Sequence, residues 1–129
     1  MKYRTFKNSL SVSEICLGGL HFGSYQSEIE TKRCIDVAFD QGINFIETAS
    51  MYGDGNSESY IGKSIIGKKN KLVISTKVGL IPTIKNNQFS VRPIKLNRNN
   101  ITNSVERSLQ SLGIECVNLL QLHVFDKST

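Results

Sequence analysis

The sequence predicts a parallel α/β protein, and three observations support that prediction. Short apolar runs alternate along the chain with longer segments whose apolar residues recur at helical spacing. The short runs are almost unbroken in apolar character, as expected for strands buried on both faces of a sheet. Glycines follow the helical segments, where helices commonly end. With 129 residues, the chain is long enough for one domain.

Four short strands are predicted after an N-terminal hairpin. Residues 2–12 alternate loosely and predict a small hairpin, which places the hairpin within residues 1–13 and the βα units within 14–129. The first parallel strand is the run Ile15-Cys16-Leu17, closed by Gly18-Gly19. The other three predicted strands are Ile43–Ile46, Leu72–Lys77 and Val117–Leu122.

Three helices are predicted between these strands, each with an apolar face and a glycine just past its end. The first spans Glu28–Gln41 and is followed by Gly42. The second begins at Ser57 as its cap, buries Ile61, Ile65 and Ile66, and is followed by Gly67. The third runs from about Ile101 to Leu112, with Asn99 or Asn100 as its cap and Gly113 as its stop.

One connection is longer than the loops that usually join a strand to a helix. Residues 79–98 contain Pro82 and Pro93 near the ends and four consecutive polar residues, Lys85 to Gln88, in the middle. Long connections of this kind are commonly functional lids or irregular insertions, and both interpretations stay open. A lid here would overhang the carboxyl end of the strand that carries Lys77.

The net charge is +5, and 39% of the residues are hydrophobic, which is ordinary for a globular domain. Much of the positive excess falls near one predicted helix end, where cations oppose the negative end of the helix dipole. These residues are Lys63, Lys68, Lys69 and Lys71. Because no basic stripe is interleaved with aromatic residues, we expect no nucleic acid partner.

Cysteine usage and the N-terminus predict the cellular location. Cys16, Cys34 and Cys116 are widely spaced among apolar neighbours, which is typical of reduced core cysteines and not of a disulfide or zinc framework. Residues 1–10 lack the apolar run of a signal peptide, and no segment is long enough to cross a bilayer. We therefore expect a cytoplasmic protein with no membrane partner and no metal site.

Four ionisable side chains lie at or just past the ends of three predicted strands: Glu47, Tyr52, Lys77 and His123. The carboxyl ends of parallel strands meet at one edge of a sheet, where ligands and chemistry gather in parallel α/β proteins. The sequence therefore predicts that an acid, a phenol, an ammonium group and an imidazole form one composite site.

Motifs around these residues extend over nearly the whole chain. The longest is Gly42–Gly53, GINFIETASMYG, which is followed by Ser57-Glu58. The others are LSVS running into LGG, ISTKVG, and SLQSLG running into LLQLH. Together, and in this order, they resemble the N-terminal half of the aldo-keto reductase family. The resemblance implies a (β/α)8 TIM-barrel fold, of which this chain holds about the first four βα units behind an N-terminal hairpin.

The resemblance also implies an activity and a set of roles. Members of this family reduce an aldehyde or ketone to an alcohol with a nicotinamide cofactor, usually NADPH, with NAD possible. By motif, Tyr52 corresponds to the proton donor, Lys77 to the residue that lowers the pKa of the tyrosine, and His123 to the residue that orients the carbonyl. Glu47 stands where the family normally has Asp, as the partner of Lys77. The expected contacts to the cofactor are Gly18, Gly19 and Glu47.

The chemistry of carbonyl reduction needs these residue types. Hydride addition to a carbonyl carbon leaves an alkoxide that must take up a proton, and a tyrosine can donate it. A neighbouring ammonium group favours the phenolate and is expected to lower the pKa of Tyr52. A buried lysine is costly unless it is paired, so Glu47 is its natural partner. Because no side chain supplies a hydride, a cofactor must.

Other interpretations remain open for each residue. Tyr52 fits a turn, Lys77 a solvated strand end, and His123 a core histidine that is hydrogen-bonded. His21, in the first loop, fits a place near the cofactor or a position facing solvent. For the chain as a whole, the alternatives are a non-catalytic binding or regulatory module, an inactive relic of the family, or a doubly wound sheet. No glycine-rich nucleotide motif supports the last of these.

The length of the chain predicts its partners. A complete barrel takes about 250 residues, so the remaining strands and most cofactor contacts that the resemblance implies lie outside these 129 residues. An open four-stranded sheet has unpaired edges and an uncovered apolar face. We therefore expect self-association or pairing with a complementary C-terminal half, together with a small carbonyl substrate.

Overall fold

The computed structural model describes residues 1–6, 10–86 and 88–126. It contains eight strands and three α-helices within those residues. The strands are β1 (Tyr3–Phe6), β2 (Leu10–Ser13), β3 (Cys16–Gly18), β4 (Phe45–Glu47), β5 (Val73–Val78), β6 (Leu80–Lys85), β7 (Gln88–Pro93) and β8 (Leu119–Leu122). The helices are α1 (Glu28–Asp40), α2 (Ser57–Ser64) and α3 (Arg98–Leu112), with 3₁₀ turns at Tyr52–Gly55 and Lys69–Lys71.

A four-stranded sheet organises the chain, in the order β3-β4-β5-β8 with every neighbouring pair parallel. Helices connect β3 to β4, β4 to β5, and β5 to β8, and they contact one another and the sheet from one side. This confirms the predicted parallel α/β architecture. The two outer strands of the sheet, among the described residues, are β3 and β8.

Two antiparallel hairpins flank this sheet. β1 pairs with β2 within the region where the sequence predicts a hairpin, and residues 7–9 between them lie outside the described residues. The second hairpin is formed by β6 and β7, which pair over their full length. It occupies most of residues 79–98, for which the sequence left a functional lid and a disordered insertion open. No residue of its two strands is buried and each strand contains a proline, which weakens the strand signal in the sequence.

The helix ends differ from the predicted caps at two places. α3 begins at Arg98, because the side chain of Asn97 accepts a 2.9 Å hydrogen bond from the amide of Asn100. The prediction of Asn99 or Asn100 as the cap was therefore wrong by two or three residues. Ser57 was wrongly predicted as the cap of α2, since it is the first helical residue and its hydroxyl is bonded elsewhere.

The hydrophobic core lies between the outer face of the sheet and the three helices. Ile46 and Ile74 project from the sheet into this core, where they meet buried side chains of the helices and loops: Phe22, Ile35, Ile61, Ile65, Leu72 and Leu112. Ile66 was predicted to be buried with them, but it is 72% exposed because α2 ends at Ser64 and the chain turns away. Cys16 and Cys116 are likewise exposed free thiols and not core residues.

The inner face of the sheet changes character along the strands. At the amino-terminal ends of the strands this face is apolar. There Phe45, Val73 and Leu119 line a cavity of about 450 Å³ together with side chains of β1 and β2. Alternate residues further along the same strands are polar, because side chains two positions apart share a face. The polar residues that follow on this face are Glu47, Ser75, Lys77, Gln121 and His123.

Candidate active site

The structure brings together the four ionisable residues that the sequence singled out. Glu47 is the last residue of β4, Lys77 lies next to the end of β5, and His123 directly follows β8. Tyr52 begins the 3₁₀ turn that follows β4. Because β4, β5 and β8 are adjacent and parallel, their carboxyl ends form one edge, and the four side chains meet there.

Lys77 is the centre of this cluster. Its ammonium group forms an ion pair with the carboxylate of Glu47. It also donates a 2.7 Å hydrogen bond to the phenolic oxygen of Tyr52 and a 3.2 Å bond to the backbone carbonyl of Thr48. An ammonium group has three N–H donors, so each has an acceptor in this arrangement. The longer side chain of Glu47, in place of the aspartate that the resemblance implies, therefore reaches Lys77.

Burial lowers the pKa of Lys77 to about 8. The charged form of a partly buried amine loses hydration, which favours the neutral form. The charge of Cys16 opposes this shift, and the contact with Glu47 acts in the same direction as Cys16, since a nearby carboxylate favours the ammonium group. Lys77 therefore carries its positive charge at pH 7.

Burial raises the pKa of the Tyr52 phenol above its ordinary value, because the phenolate would lose hydration. The ammonium group of Lys77, which contacts the phenolic oxygen, favours the phenolate and acts in the opposite direction. With this pKa raised, Tyr52 keeps its proton at neutral pH. Because its oxygen accepts a hydrogen bond from Lys77, that proton is free to point away from the lysine.

His123 packs against the phenol ring. The two ring centroids are 5.6 Å apart with an angle of 86° between the planes, an edge-to-face contact. Burial, and next the charge of Lys77, lower the pKa of the imidazole. The ring is therefore neutral near pH 7, and one of its nitrogens carries a proton that can be donated in a hydrogen bond.

The loop after β4 is held by close backbone contacts that fix Tyr52. Gly53 has φ of 58°, and its amide donates a 3.0 Å hydrogen bond to the carbonyl of Leu20 in the preceding loop. A Cβ atom at Gly53 would overlap the carbonyl of Phe22. Only glycine satisfies both the left-handed conformation and this approach, so the residue after Tyr52 locks two neighbouring loops together.

The two glycines expected near a cofactor lie in different surroundings. A Cβ atom at Gly18 would meet no atom within 4 Å, so open space adjoins this end of β3 next to Glu47. At Gly19 the same atom would lie 2.9 Å from the hydroxyl of Ser57 and 3.2 Å from the carbonyl of Glu47. Gly19 is therefore required for packing against α2, whereas Gly18 faces free volume.

A buried hydrogen-bonded cluster supports the site, and the sequence did not reveal it. The hydroxyl of Ser57 donates a 2.8 Å bond to the carbonyl of Gly19 and lies 2.8 Å from the hydroxyl of Thr48. The amide of Gly19 in turn donates a 2.7 Å bond to the carbonyl of Glu47. This cluster ties the loops after β3 and β4 to the start of α2, directly behind the contacts of Lys77.

Two further observations complete the surroundings of the cluster. Gln121 lies beside Lys77 in the register and donates a 2.8 Å hydrogen bond to the hydroxyl of Ser75. Gln121 lies two positions before His123 and so on the same face, and this spacing was the signal that could have identified it.

His21 is exposed and stacks edge-to-face on Tyr25, with 5.1 Å between the ring centroids. The structure thus places His21 in the first loop without a contact to the four clustered side chains.

Two features are absent from the residues that the structure describes. No group of three or more His, Cys, Asp or Glu side chains is arranged to hold a metal ion. Within the same residues, none of the helices has the length and apolar character that a bilayer crossing needs.

The sequence of this chain is similar to those of known proteins over most of its length. Residues 14–129 match the model of the aldo/keto reductase family. The protein Tas of Escherichia coli is 34% identical over 131 residues, covering 94% of this chain and 37% of the relative. The aldo-keto reductase YhdN of Bacillus subtilis is 39% identical over 111 residues, covering 83% and 31%.

Solved structures agree with these relatives. A holo-form aldo-keto reductase from Bacillus halodurans superimposes with a TM-score of 0.82 at 28% identity, covering 95% of this chain and 40% of that one. The glycerol dehydrogenase of Gluconobacter oxydans gives a TM-score of 0.80 at 31% identity, covering 98% and 40%. The chain thus spans less than half the length of these relatives, whose fold is a TIM barrel. The chain belongs to the aldo/keto reductase family.

Proposed function

We propose that this chain carries the reacting side chains of an NAD(P)H-dependent oxidoreductase that reduces an aldehyde or ketone to an alcohol. The observation that supports this proposal most directly is the contact between Lys77 and Tyr52, 2.7 Å from nitrogen to oxygen, at the carboxyl ends of adjacent strands. It places a phenol with an available proton beside a cation, where a carbonyl oxygen that gains negative charge would be stabilised.

Tyr52 is the proposed proton donor. Its phenol is protonated at neutral pH, and its oxygen already accepts a bond from Lys77, so its proton is free for a substrate oxygen. An alkoxide is a far stronger base than a phenolate, so proton transfer remains favourable although burial raises the pKa of Tyr52. The charge that appears on the phenol oxygen after transfer lies within hydrogen-bonding distance of Lys77.

Glu47 and His123 are proposed to position the reacting groups. Glu47 holds the ammonium group of Lys77 toward the phenol through their ion pair. The neutral imidazole of His123 can donate a hydrogen bond to the substrate carbonyl, which polarises it and fixes its direction. Its contact with the Tyr52 ring keeps both donors on one side of the substrate.

The residues at the end of β3 fit the nicotinamide end of a cofactor. The open space beside Gly18 adjoins Glu47, and a side chain at position 18 would fill part of it. When bound, the reduced cofactor supplies the hydride that the carbonyl carbon receives, which no side chain can do. We favour NADP because members of the family usually use it, with NAD as the alternative.

We further propose that the remaining strands of the relatives' barrel are needed for activity, whether they belong to the same polypeptide or to a separate one. β3 and β8 are the outer strands of the described sheet, and β8 exposes Leu120 and Leu122. Further βα units next to β8 would cover these side chains.

The test uses the chain together with the segment that completes the barrel of its relatives. NADPH oxidation is followed with a panel of aldehydes and ketones, and cofactor affinity is measured separately. Tyr52→Phe is expected to abolish turnover while cofactor affinity stays within about twofold. Tyr60→Phe on α2 is the matched control and should keep full activity. Turnover that persists in Tyr52→Phe would refute the proposed role.

Glu47 stands where the resemblance implies Asp, and this difference is the sequence feature that favours a non-catalytic binding module. The ion pair between Glu47 and Lys77 supports the catalytic interpretation instead. Failure of the completed assembly to oxidise NADPH with any carbonyl, while it still binds the cofactor, would support the binding module instead.

A further inference from the structure

The segment that follows β5 carries only positive charge. Residues 79–105 include four cationic side chains, Lys85, Arg92, Lys95 and Arg98, and no Asp or Glu. Two of them, Arg92 and Lys95, line a cavity of about 410 Å³ beside α3, and Arg107 of α3 lines it as well. The cavity is therefore built between the end of the β6–β7 hairpin and the first half of α3.

The polar lining of this cavity is suited to an anion. Arg92 and Arg107 offer planar guanidinium groups that bind phosphate oxygens in pairs, and Lys95 adds a third positive charge. The side chains of Asn100 and Asn103 add amide donors from α3.

The three cations of the cavity form no ion pair within the part of the chain that the structure describes. In residues 1–6, 10–86 and 88–126, no carboxylate oxygen lies within 4 Å of Arg92, Lys95 or Arg107. The lysines of the α2 region behave differently: Lys63, for example, pairs with Glu28 of α1. The basic excess of the chain is thus partly paired around α2 and left unpaired around this cavity.

Two acidic residues flank the cavity without lining it. Asp126 accepts a 2.9 Å hydrogen bond from the amide of Leu96. Glu58 lines a neighbouring cavity that shares Arg107, and it accepts a 2.6 Å bond from the hydroxyl of Thr76. The lining itself keeps its three positive charges.

We propose that this cavity binds the phosphate monoester of a small organic molecule. Arg92 and Arg107 would hold the phosphate, and Lys95 would complete its charge neutralisation. The volume exceeds what a phosphate ion needs, and Ile81 and Ile94 form an apolar wall against which a carbon chain can pack. The cavity shares no residue with the Glu47–His123 cluster, so the proposal stands independently of the proposed reductase activity.

Equilibrium dialysis with radiolabelled glycerol 3-phosphate, at constant ionic strength, tests this proposal without any need for catalysis. Arg92→Gln and Arg107→Gln are each expected to weaken binding by about tenfold or more, the effect of losing a charge-assisted hydrogen bond. Lys71→Gln removes the same charge from an exposed residue outside the cavity and should change the affinity by less than about twofold. Circular dichroism of each variant verifies that it is folded.

Several results would overturn the proposal. The first is an absence of saturable binding up to about 10 mM ligand, which corresponds to an affinity too weak for a specific site. The second is an equal loss of binding in Lys71→Gln, which would show general attraction to a basic surface. Unlabelled inorganic phosphate should compete and glycerol should not. A single-stranded oligonucleotide that binds tightly while the monoester does not would instead show a nucleic acid surface.

Discussion

The ammonium group of Lys77 lies 2.7 Å from the phenolic oxygen of Tyr52 and 4.2 Å from the centre of its ring. This contact joins the end of β5 to the turn after β4, two neighbouring positions on the same edge of the sheet. Both groups are partly buried, and the loss of hydration moves their pKa values apart, downward for Lys77 and upward for Tyr52. The protonation of Lys77 is therefore a measurable property of the folded site.

The stability of the fold should depend on pH through Lys77. Its pKa is about 8 in the folded chain, against an ordinary value of 10.5 for an unfolded lysine. Between these two values the unfolded chain binds more protons than the folded one, so the free energy of unfolding contributed by this residue rises with pH across that window. Urea denaturation at a series of pH values between 8 and 9 should show this rise in the parent protein and a smaller one in Lys77→Met. Above pH 9 the pKa of Cys16, which burial raises to about 11, contributes a slope of the opposite sign.

Lys71→Met is the control for that measurement, since Lys71 is exposed and precedes the start of β5, at the opposite end of that strand from Lys77. It should retain the pH dependence of the parent protein. If Lys77→Met and the parent give the same slope between pH 8 and pH 9, the lowered pKa of Lys77 is wrong.

Removal of the Ser57 hydroxyl should destabilise the chain. The variant Ser57→Ala leaves the carbonyl of Gly19 and the hydroxyl of Thr48 without this buried partner. The expected loss is about 1–3 kcal/mol of the free energy of unfolding, the usual cost of buried groups that lose a hydrogen bond. Ser59→Ala, two residues further along α2, removes a hydroxyl with an exposed bond and should cost less than about 0.5 kcal/mol.

Equal losses in the two serine variants would show that the buried cluster adds nothing to stability. Denaturation curves with unchanged slopes are needed for the comparison, because a changed slope indicates a change in the unfolded or folded ensemble.

Alanine substitutions at Gly18 and Gly19 should affect different properties, cofactor binding at Gly18 and stability at Gly19. Gly19→Ala places a methyl group 2.9 Å from the Ser57 hydroxyl and 3.1 Å from the side chain of Ile61, so we expect a loss of about 1–3 kcal/mol in stability. In Gly18→Ala the added methyl group has no atom within 4 Å, so the free energy of unfolding should change by less than about 0.5 kcal/mol. In the completed assembly the added methyl group should instead weaken cofactor binding. Unchanged cofactor affinity in Gly18→Ala would remove this residue from the proposed site.

The isolated 129-residue chain is expected to self-associate through β8. Leu120 and Leu122 are 41% and 62% exposed on an outer strand of the sheet, and such edges pair readily with other chains. Leu122→Lys should reduce the average mass measured by light scattering. Ile29→Lys on α1, a position that is 83% exposed but away from the sheet, should leave the mass unchanged. A monodisperse monomer for the unmodified chain would contradict this prediction.

Much of the fold could be predicted because the relevant signals are local. The strands before Glu47 and Lys77 are short apolar runs, and α1 and α3 end where glycine follows the apolar pattern. The four clustered side chains could be predicted because their position at strand ends depends only on that alternation. The contact distances between these side chains could not be predicted, and neither could the direction in which burial shifts the pKa of Tyr52. Both depend on burial that only the assembled site determines.

The wrong predictions share a physical cause, which is competition between neighbouring partners. Asn97, Asn99 and Asn100 are all able to cap a helix, and only the fold determines that Asn97 does so. Ser57 has the side chain of a cap, but a buried acceptor at Gly19 takes its hydroxyl instead. The β6–β7 hairpin had a detectable signal, the Asn-Asn pair at its centre, and Asn86 indeed adopts φ of 51°.

The alternation along the central strands has a consequence for engineering. Even-numbered positions such as 46 and 74 are isoleucines that hold the helices, while odd-numbered positions such as 47, 75 and 77 face the opposite side and carry the polar groups. A library restricted to positions 47, 75 and 77 would vary chemical reactivity and leave the isoleucines that contact the helices intact. Conversely, deletion of a single residue within β5 would exchange the two sides and damage both at once.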